Sequence, residues 1–292
     1  ARRILPQGPS DLAVILGQLA AHLYDTGRPE EALPLIDEAI EREAQRDPPL
    51  GTRLANLWQT KSSILGMGGD EVGSEAAARR CLDLLESSLR PDHPEVISAN
   101  IRLISQMLYL GENDEATLRA ERLVEASVRA LGRRHPSTGY SLYLLGECRL
   151  RAGRLEDAER LFTESIAAYS LDDPHCPVEA TDPLRSLASI YLRRKEFAKA
   201  EPMFRQAMEL RVGQYGEVDR RSIAAIGDLG RMYMKAGDAA AAEELVRRAL
   251  AAAEKLRAGV SETAALRRDL SYILVKQRRF ADAEPYSRQD FP

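Results

Sequence analysis

The sequence predicts an all-α fold built from a repeated helical hairpin, and three observations support this prediction. The composition is rich in Ala, Leu, Glu and Arg, which favour helices, whereas aromatic residues make up only 5%. No segment alternates apolar and polar residues over the length of a strand. A phrase with a small residue flanked by acids, RLEDAERLF at 154–162, recurs in varied form along the chain.

The recurring small residue marks a repeat with a nearly constant step. Seven alanines serve as anchors: Ala32, Ala76, Ala116, Ala158, Ala200, Ala242 and Ala283. Successive anchors are 44, 40, 42, 42, 42 and 41 residues apart. Such regularity predicts a single repeat-array domain over 1–292. Its seven units are predicted at approximately 10–47, 50–90, 93–132, 135–171, 176–213, 218–257 and 260–290.

Each unit is predicted to contain two helices joined by a short turn. Twelve residues before most anchors lies a second small residue, such as Gly230 before Ala242. Apolar residues three or four positions away share its helical face. We expect the two helices to cross at these small residues, although Ile104 occupies the position in repeat three. The first helices are predicted at 10–26, 50–66, 94–110, 136–152, 177–194, 219–236 and 261–277.

The predicted turns carry recognisable end signals. Gly27, Gly111, Gly153 and Gly237 are placed to cap the first helix in a left-handed conformation, whereas repeats five and seven have Lys195 and Arg278 there. In repeat two the segment GMGGDEVG at 66–73 predicts a longer turn. His-Pro pairs at 93–94 and 135–136 are expected to start helices, because proline suits a first helical turn.

These residues resemble a known repeat. The order apolar–x–x–Leu–small–x–x–Tyr/Leu, then Gly, then an acidic residue followed by Ala, resembles the tetratricopeptide repeat (TPR). The step of 42 residues and the His-Pro pairs resemble its kinesin-light-chain-like class. The resemblance implies a right-handed α-solenoid of about seven stacked helix-turn-helix units. It also implies a concave groove, lined by the first helices, that binds proteins or peptides.

Charge and composition argue against several classes of partner. The formal net charge is −4, so the chain has no general attraction to nucleic acid or to an anionic membrane. No apolar run approaches the roughly 18 residues of a membrane span. The three cysteines form no CxxC pair, which favours free thiols and a cytoplasmic location.

Candidate catalytic and cofactor sites are weak, and we expect neither an enzyme nor a cofactor. GMGGD lacks the preceding strand and the GK[ST] ending of a phosphate loop. His93 and His135 each precede a proline at a repeat boundary, as turn residues would. His175 and Cys176 lack a second pair at zinc spacing, and His22 is expected at the edge of the core. Carboxylates recur mainly at the starts of second helices, where they suit the helix dipole.

The resemblance also implies which residues line the groove. In the family they lie at −6, −3, +1, +4 and +5 from the small residue of the first helix, and the register of repeat two is uncertain. The candidate groove residues are Tyr24, Trp58, Tyr109, Tyr140, Tyr143, Arg151, Arg185, Arg193, Arg231, Lys235, Arg268, Tyr272 and Lys276. At these positions, the basic residues from Arg151 onward face only one acid, Asp182.

This pattern predicts a non-catalytic scaffold that binds an extended acidic peptide or acidic tail. Apolar or aromatic anchors of the ligand would lie toward repeats two to four, because Tyr and Trp offer rigid contact area. Arginine suits carboxylates because its planar fork binds them bidentately. Alternatively, the same basic residues only keep an exposed helix face soluble. Kinesin-light-chain-like repeats often carry Asn at −3, where it binds the backbone of the peptide. This Asn is absent here, so we do not expect that interaction.

Two other functions stay open. The chain fits a regulatory or sensor segment of a larger signalling protein, fused to or partnered with an ATPase, kinase or peptidase, and the ends ARRI and QDFP agree with this. A structural subunit of a larger assembly should instead expose apolar patches on its second helices. Those helices look charged outside, as in RQAMELR and VRRALAAAEKL. The sequence does not indicate an oligomeric state.

Overall fold

The computed structural model describes residues 9–46, 51–171, 176–257 and 259–287, and within these ranges the chain is all-α. The helices are α1 (Pro9–Asp25), α2 (Pro29–Ala44), α3 (Gly51–Met67), α4 (Glu71–Glu86), α5 (Pro94–Leu110), α6 (Asn113–Leu131), α7 (Pro136–Arg151), α8 (Leu155–Ile166), α9 (Thr181–Arg193), α10 (Phe197–Tyr215), α11 (Arg220–Ala236), α12 (Ala239–Leu256), α13 (Val260–Lys276) and α14 (Phe280–Ser287). In the part of the chain described, no helix is both long and apolar enough to cross a bilayer.

The helices fall into two compact units. Unit 1 is Ala1–Gly153 and contains α1 to α7, and unit 2 is Arg154–Pro292 and contains α8 to α14. Within each unit, helices that follow one another along the chain pack together as stacked hairpins. First helices of successive hairpins also touch, as in α1 with α3, α5 with α7 and α11 with α13. The first helices therefore lie side by side along one face of each stack.

The predicted helical-hairpin fold is confirmed, and most first helices begin and end within two residues of the prediction. The exception is α9, which begins at Thr181 instead of 177. Its start is delayed because Val178–Ala180 form a 3₁₀ turn. The assignment of 1–292 to one domain stays a prediction.

Every described hairpin turn holds one residue in the left-handed region. These residues are Gly27, Gly69, Gly111, Gly153, Lys195, Gly237 and Arg278. Lys195 and Arg278 adopt φ values of 61° and 63°, which cost a side chain with a Cβ about 1 kcal/mol. The predicted glycine caps are therefore confirmed, and the two basic exceptions are the strained members of the set.

The sequence-based interpretation of repeat two was wrong. Helix α3 runs to Met67 and α4 begins at Glu71, with Gly69 at φ +83° between them, so the turn is no longer than the others. The anchor is Ser74, which is 1% exposed, and Ala76 is exposed instead. Ser74 Oγ donates to the carbonyl of Ser62 at 2.7 Å, so this hairpin crosses through a polar contact. Serine is small enough to take the place of alanine at this buried position, so the alanine pattern does not identify it.

Close helix crossing at the small positions is visible in unit 2. A Cβ placed on Gly230 of α11 would lie 2.9 Å from Cγ2 of Val246 on α12. Real Cβ atoms essentially never come this close, and Val has a stiff χ1 in a helix. The anchor Ala242 beside it is fully buried. Glycine at 230 thus permits the distance between α11 and α12.

Successive hairpins of unit 2 are joined by a repeated polar contact. The Tyr191 hydroxyl on α9 donates to Oε1 of Glu159 on α8 at 3.0 Å. In the next junction the Tyr233 hydroxyl on α11 donates to Oε1 of Glu201 on α10 at 2.6 Å. Both pairs occupy the same repeat positions, three after the small residue and one after the anchor. The repeated sequence therefore supplies the contacts between successive hairpins as well as those within each hairpin.

The His-Pro pairs cap helices, as the sequence predicted for turn residues. Nδ1 of His93 accepts the backbone N–H of Glu95 at 3.3 Å. Nδ1 of His135 accepts that of Ser137 at 3.1 Å. Asp219 has the same role at the start of α11, where its carboxylate accepts the N–H of Arg221 at 2.9 Å. An N-cap side chain of this kind satisfies a backbone donor that the helix leaves unpaired.

His135→Ala is expected to lower the free energy of unfolding by about 1 kcal/mol, because the first turn of α7 loses its cap. His135→Asp should stay within a few tenths of wild type, since aspartate caps the same position of α11. Urea unfolding followed by circular dichroism at pH 7 measures both. Equal losses in the two variants would show that the histidine is needed for something other than capping.

Candidate peptide-binding surface

Three cationic side chains occupy one repeat position on the first helices of unit 2. Arg193, Lys235 and Lys276 each lie five residues after the small residue of α9, α11 and α13. All three are exposed. None of the ion pairs found among the described residues involves them, and Lys276 also lies over the Tyr272 ring, with Nζ 5.3 Å from its centroid. We call this set the basic column.

An apolar set runs beside the basic column. Leu192 and Met234 are half-buried, and Val275 is 44% exposed. Each precedes a member of the basic column by one residue, so the two sets share the ends of the three helices. Tyr272, at 49% exposure, adds an aromatic surface on α13. We call Leu192, Met234 and Val275 the apolar column.

Two other predicted cations are already neutralised within the chain. Nε of Arg185 on α9 donates to Oδ2 of Asp228 on α11 at 2.7 Å. Arg231 donates to the other oxygen of Asp228 and, at 3.3 Å, to Oδ2 of Asp269 on α13. Burial alone would lower the pKa of the Arg231 guanidinium, but the Asp228 and Asp269 carboxylates together outweigh burial and raise that pKa. We call these four residues the ion-pair ladder.

The ladder corrects the prediction that the basic positions face a single acid. Asp228 and Asp269 lie two residues before the small residue, one place away from the family's −3 position. Long arginine side chains on neighbouring helices reach them, which position counting along one helix does not reveal. The predicted acid Asp182 has its own partner, Arg211 of α10, at 2.9 Å. Burial of the Asp182 carboxyl raises its pKa, and this effect exceeds the opposite one of Arg211.

The two remaining candidate cations, Arg268 and Arg151, are exposed but lie in different units. Arg268 is exposed on α13, and no ion pair between described residues includes it. Arg151 is the last residue of α7 and is exposed, but it belongs to unit 1. Five of the seven candidate cations are therefore exposed, and three of these five form the basic column.

The predicted aromatic residues of unit 1 do not form one cluster. Tyr109 is 72% exposed near the end of α5. Tyr24 is half-buried and packs against the apolar core of the first two hairpins. Tyr140 and Tyr143 pair on α7, with ring centroids 5.3 Å apart. Tyr109 is therefore the open aromatic surface of this set.

Trp58 does not lie on the predicted surface. With Ser62 as the small residue of α3, Trp58 is at −4, outside the family's groove positions. Its ring lines a cavity between α2, α3 and α4 and packs against the core of the first two hairpins. The misplaced anchor at Ala76 produced the error, because it left the register of α3 undefined.

The described residues contain no cluster of three or more His, Cys, Asp or Glu side chains that could hold a metal ion. His175 lies outside them, and His22 is exposed, not at the core edge as predicted. Cys81 and Cys148 are buried, and desolvation raises the pKa of the Cys81 thiol to about 11. Neither buried thiol has the lowered pKa of a nucleophile.

Asp228→Asn is expected to lower the free energy of unfolding by about 1 to 3 kcal/mol, because two guanidiniums lose a charged acceptor. Chemical denaturation followed by circular dichroism measures the change. Glu209→Gln is the control, since this carboxylate is exposed on α10, and it should change stability by less than about 0.5 kcal/mol. Equal effects from the two variants would contradict the ladder.

Comparison with known proteins places these features in a family. The tetratricopeptide repeat signature matches residues 95–170 and 180–255, more than half of the chain. Further tetratricopeptide repeat signatures match residues 228–289 and 13–38. No curated protein matches the chain in sequence.

Solved structures share the fold at low identity. TPR-like repeats of a Podosopora anserina protein, described as a kinesin light chain with nearly identical repeats, are 19% identical, with a TM-score of 0.56 over 71% of this chain and 97% of the other. BtubC (BKLC) from P. vanneervenii is 18% identical, with a TM-score of 0.61 over 84% and 92%. The apo form of the quorum sensor NprR from B. thuringiensis is 11% identical, with a TM-score of 0.64 over 95% and 86%.

The family match agrees with the stacked hairpins, the left-handed turn residues and the small residues at the helix crossings. Tetratricopeptide repeats are in general non-catalytic scaffolds for protein–protein interaction. The chain belongs to the tetratricopeptide repeat family and has the fold of its kinesin-light-chain-like members.

Proposed function

We propose that the chain is a non-catalytic scaffold that binds an extended acidic segment of a partner protein along the first helices of unit 2. The basic column supplies the charge and the apolar column supplies the adjacent contact. The main support for this proposal is the position occupied by Arg193, Lys235 and Lys276. In α9, α11 and α13 this position is basic and exposed, and no ion pair between described residues includes it.

The ion-pair ladder narrows the surface available to the ligand. Arg185 and Arg231 already have carboxylate partners, so a ligand carboxylate would have to displace Asp228 or Asp269 to reach them. Displacing a partly buried carboxylate leaves it without its partner, which is costly. Arg193, Lys235 and Lys276 carry no such penalty.

The geometry of stacked helices predicts the spacing of the ligand's acids. Packed helix axes lie roughly 8 to 10 Å apart. An extended chain advances roughly 3.3 Å per residue. Carboxylates about three residues apart would therefore meet successive members of the basic column. Apolar residues next to these acids would contact Leu192, Met234 and Val275.

A fluorescent peptide with three Leu-Glu-Ser units is expected to bind and to lose affinity as salt rises, because exposed ion pairs are screened. Arg193→Glu/Lys235→Glu should weaken binding at least about tenfold, since each reversal replaces attraction with repulsion. Fluorescence anisotropy measures the affinity.

Two controls make this test specific. Arg122→Glu/Lys255→Glu makes the same charge change at exposed sites on the second helices α6 and α12, and it should leave the affinity unchanged. A peptide of equal composition with its three acids adjacent should bind more weakly. If both double variants lose affinity equally, net charge alone attracts the ligand and the proposed surface is wrong.

Two alternative functions stay predictions: a regulatory segment of a signalling protein and a structural subunit of an assembly. The cytoplasmic location also stays a prediction. Neither alternative changes the chemistry proposed for the basic column. Charge reversal at Arg185, Arg231 and Arg268 would be a poor test of the surface, because two of these residues hold the ion-pair ladder together.

A further inference from the structure

A cavity of about 480 Å³ opens between α2, α3 and α4 in unit 1. Leu33, Trp58 and Leu65 provide its apolar lining, and Trp58 is the only tryptophan of the chain. Its size falls within the range of ligand pockets in proteins. None of its lining residues belongs to the basic column, so it is separate from the surface proposed above.

The cavity exists because α4 carries small residues where other second helices carry large ones. Gly73, Ala76 and Ala77 line it from α4. The position of Ala77, three after the anchor, is larger in every other repeat. The residues there are Leu35, Arg119, Leu161, Met203, Leu245 and Tyr286. The space is therefore specific to this hairpin and is not a general feature of the stack.

The lining also replaces a polar junction with an apolar one. Leu33 and Leu65 occupy the repeat positions that Glu159 and Tyr191 hold between α8 and α9. In that junction the tyrosine hydroxyl donates to the carboxylate and links the two hairpins. Two leucines cannot form such a bond, and here they border open space instead. This junction gives up a stabilising contact and exposes apolar surface.

The charges at the rim leave one cation available. Asp37 pairs with Lys61 at 2.7 Å, and Lys61 Nζ lies 5.1 Å from the centroid of Trp58. Asp70 accepts the backbone N–H of Gly73 at 2.9 Å and so caps α4. Arg80 is exposed, and no ion pair within the described ranges includes it. A partner entering the cavity would meet an apolar floor, the exposed Arg80 guanidinium on α4 and, at the start of α4, the Asp70 carboxylate that caps the helix.

We propose that this cavity is a second protein-interaction site, which takes one large apolar side chain of a partner protein with a carboxylate next to it. The apolar side chain contacts Trp58, Leu33 and Leu65. The neighbouring carboxylate pairs with Arg80, whose planar fork suits it. Tryptophan and arginine are the residue types that most often dominate the energy of such contacts.

Trp58 makes the site directly observable, because all tryptophan fluorescence of the protein comes from it. The probes are acetylated, amidated heptapeptides with a central Phe-Glu or Leu-Glu pair. We expect a saturable change in the emission of Trp58. Replacing the apolar residue by Ala, or the Glu by Lys, should weaken binding at least about tenfold.

Two variants of α4 separate this site from non-specific association. Ala76→Leu places a bulkier side chain at the exposed rim, as Leu118 does at the same position of α6. Arg80→Glu reverses the available charge. Each substitution should lower the affinity for the Phe-Glu peptide at least about tenfold. Ala240→Leu, at an exposed alanine of α12, should leave this affinity unchanged. Arg193→Glu/Lys235→Glu should also leave this binding unchanged, so the two sites are tested separately.

Three results would overturn the proposal. The first is no saturable change in emission with either apolar-acidic peptide. The second is equal binding by wild type and Ala76→Leu. The third is an emission change that follows protein concentration without peptide and disappears in Ala76→Leu, which would assign the cavity to a second copy of the chain.

Discussion

In the α11–α12 hairpin the two helices approach closely at positions that lie twelve residues before the anchor and four residues after it. Gly230 faces Val246 so tightly that even a methyl group would collide. In repeat three the sizes are exchanged, because Ile104 occupies the small position and Ala120 the position of Val246, both fully buried. We infer that the combined size of the two residues is what the fold restricts. Protein interiors are packed tightly enough for such a restriction to operate.

This constraint determines where the functional side chains can lie. Once the crossings and the left-handed turns recur every 41 or 42 residues, equivalent positions of successive first helices come side by side. A residue type repeated at one position then forms a line across the surface, as the basic column does. The charge that a ligand meets also depends on which side chains pair across helices. Asp228 and Asp269 neutralise part of the surface, whereas Arg193 and Lys235 stay available.

Most of the fold could be predicted because its signals are local. Glycine at the turns, histidine before proline and the helix-forming composition each act within a few residues. The alanine pattern gives the wrong register for repeat two because Ser74 occupies its anchor position. With Ser74 as the anchor, Trp58 lies outside the groove positions. The ion-pair ladder could not be read from one helix, since Arg185 reaches an acid 43 residues away. The cavity depends on the absence of side-chain volume at Ala76 and Ala77, which becomes visible only when the repeats are in correct register.

The close crossing is tested most directly by placing the same side chain at two helical glycines of unit 2. An added Cβ on Gly213 in α10 would meet no atom of another helix within 4 Å, whereas one on Gly230 would lie 2.9 Å from Cγ2 of Val246. Gly213→Leu should raise the free energy of unfolding by up to about 1 kcal/mol through helix propensity. Gly230→Leu should lower it by about 1 to 3 kcal/mol or more through overpacking. Opposite signs in urea unfolding would support the account, and a gain in stability from both substitutions would contradict it.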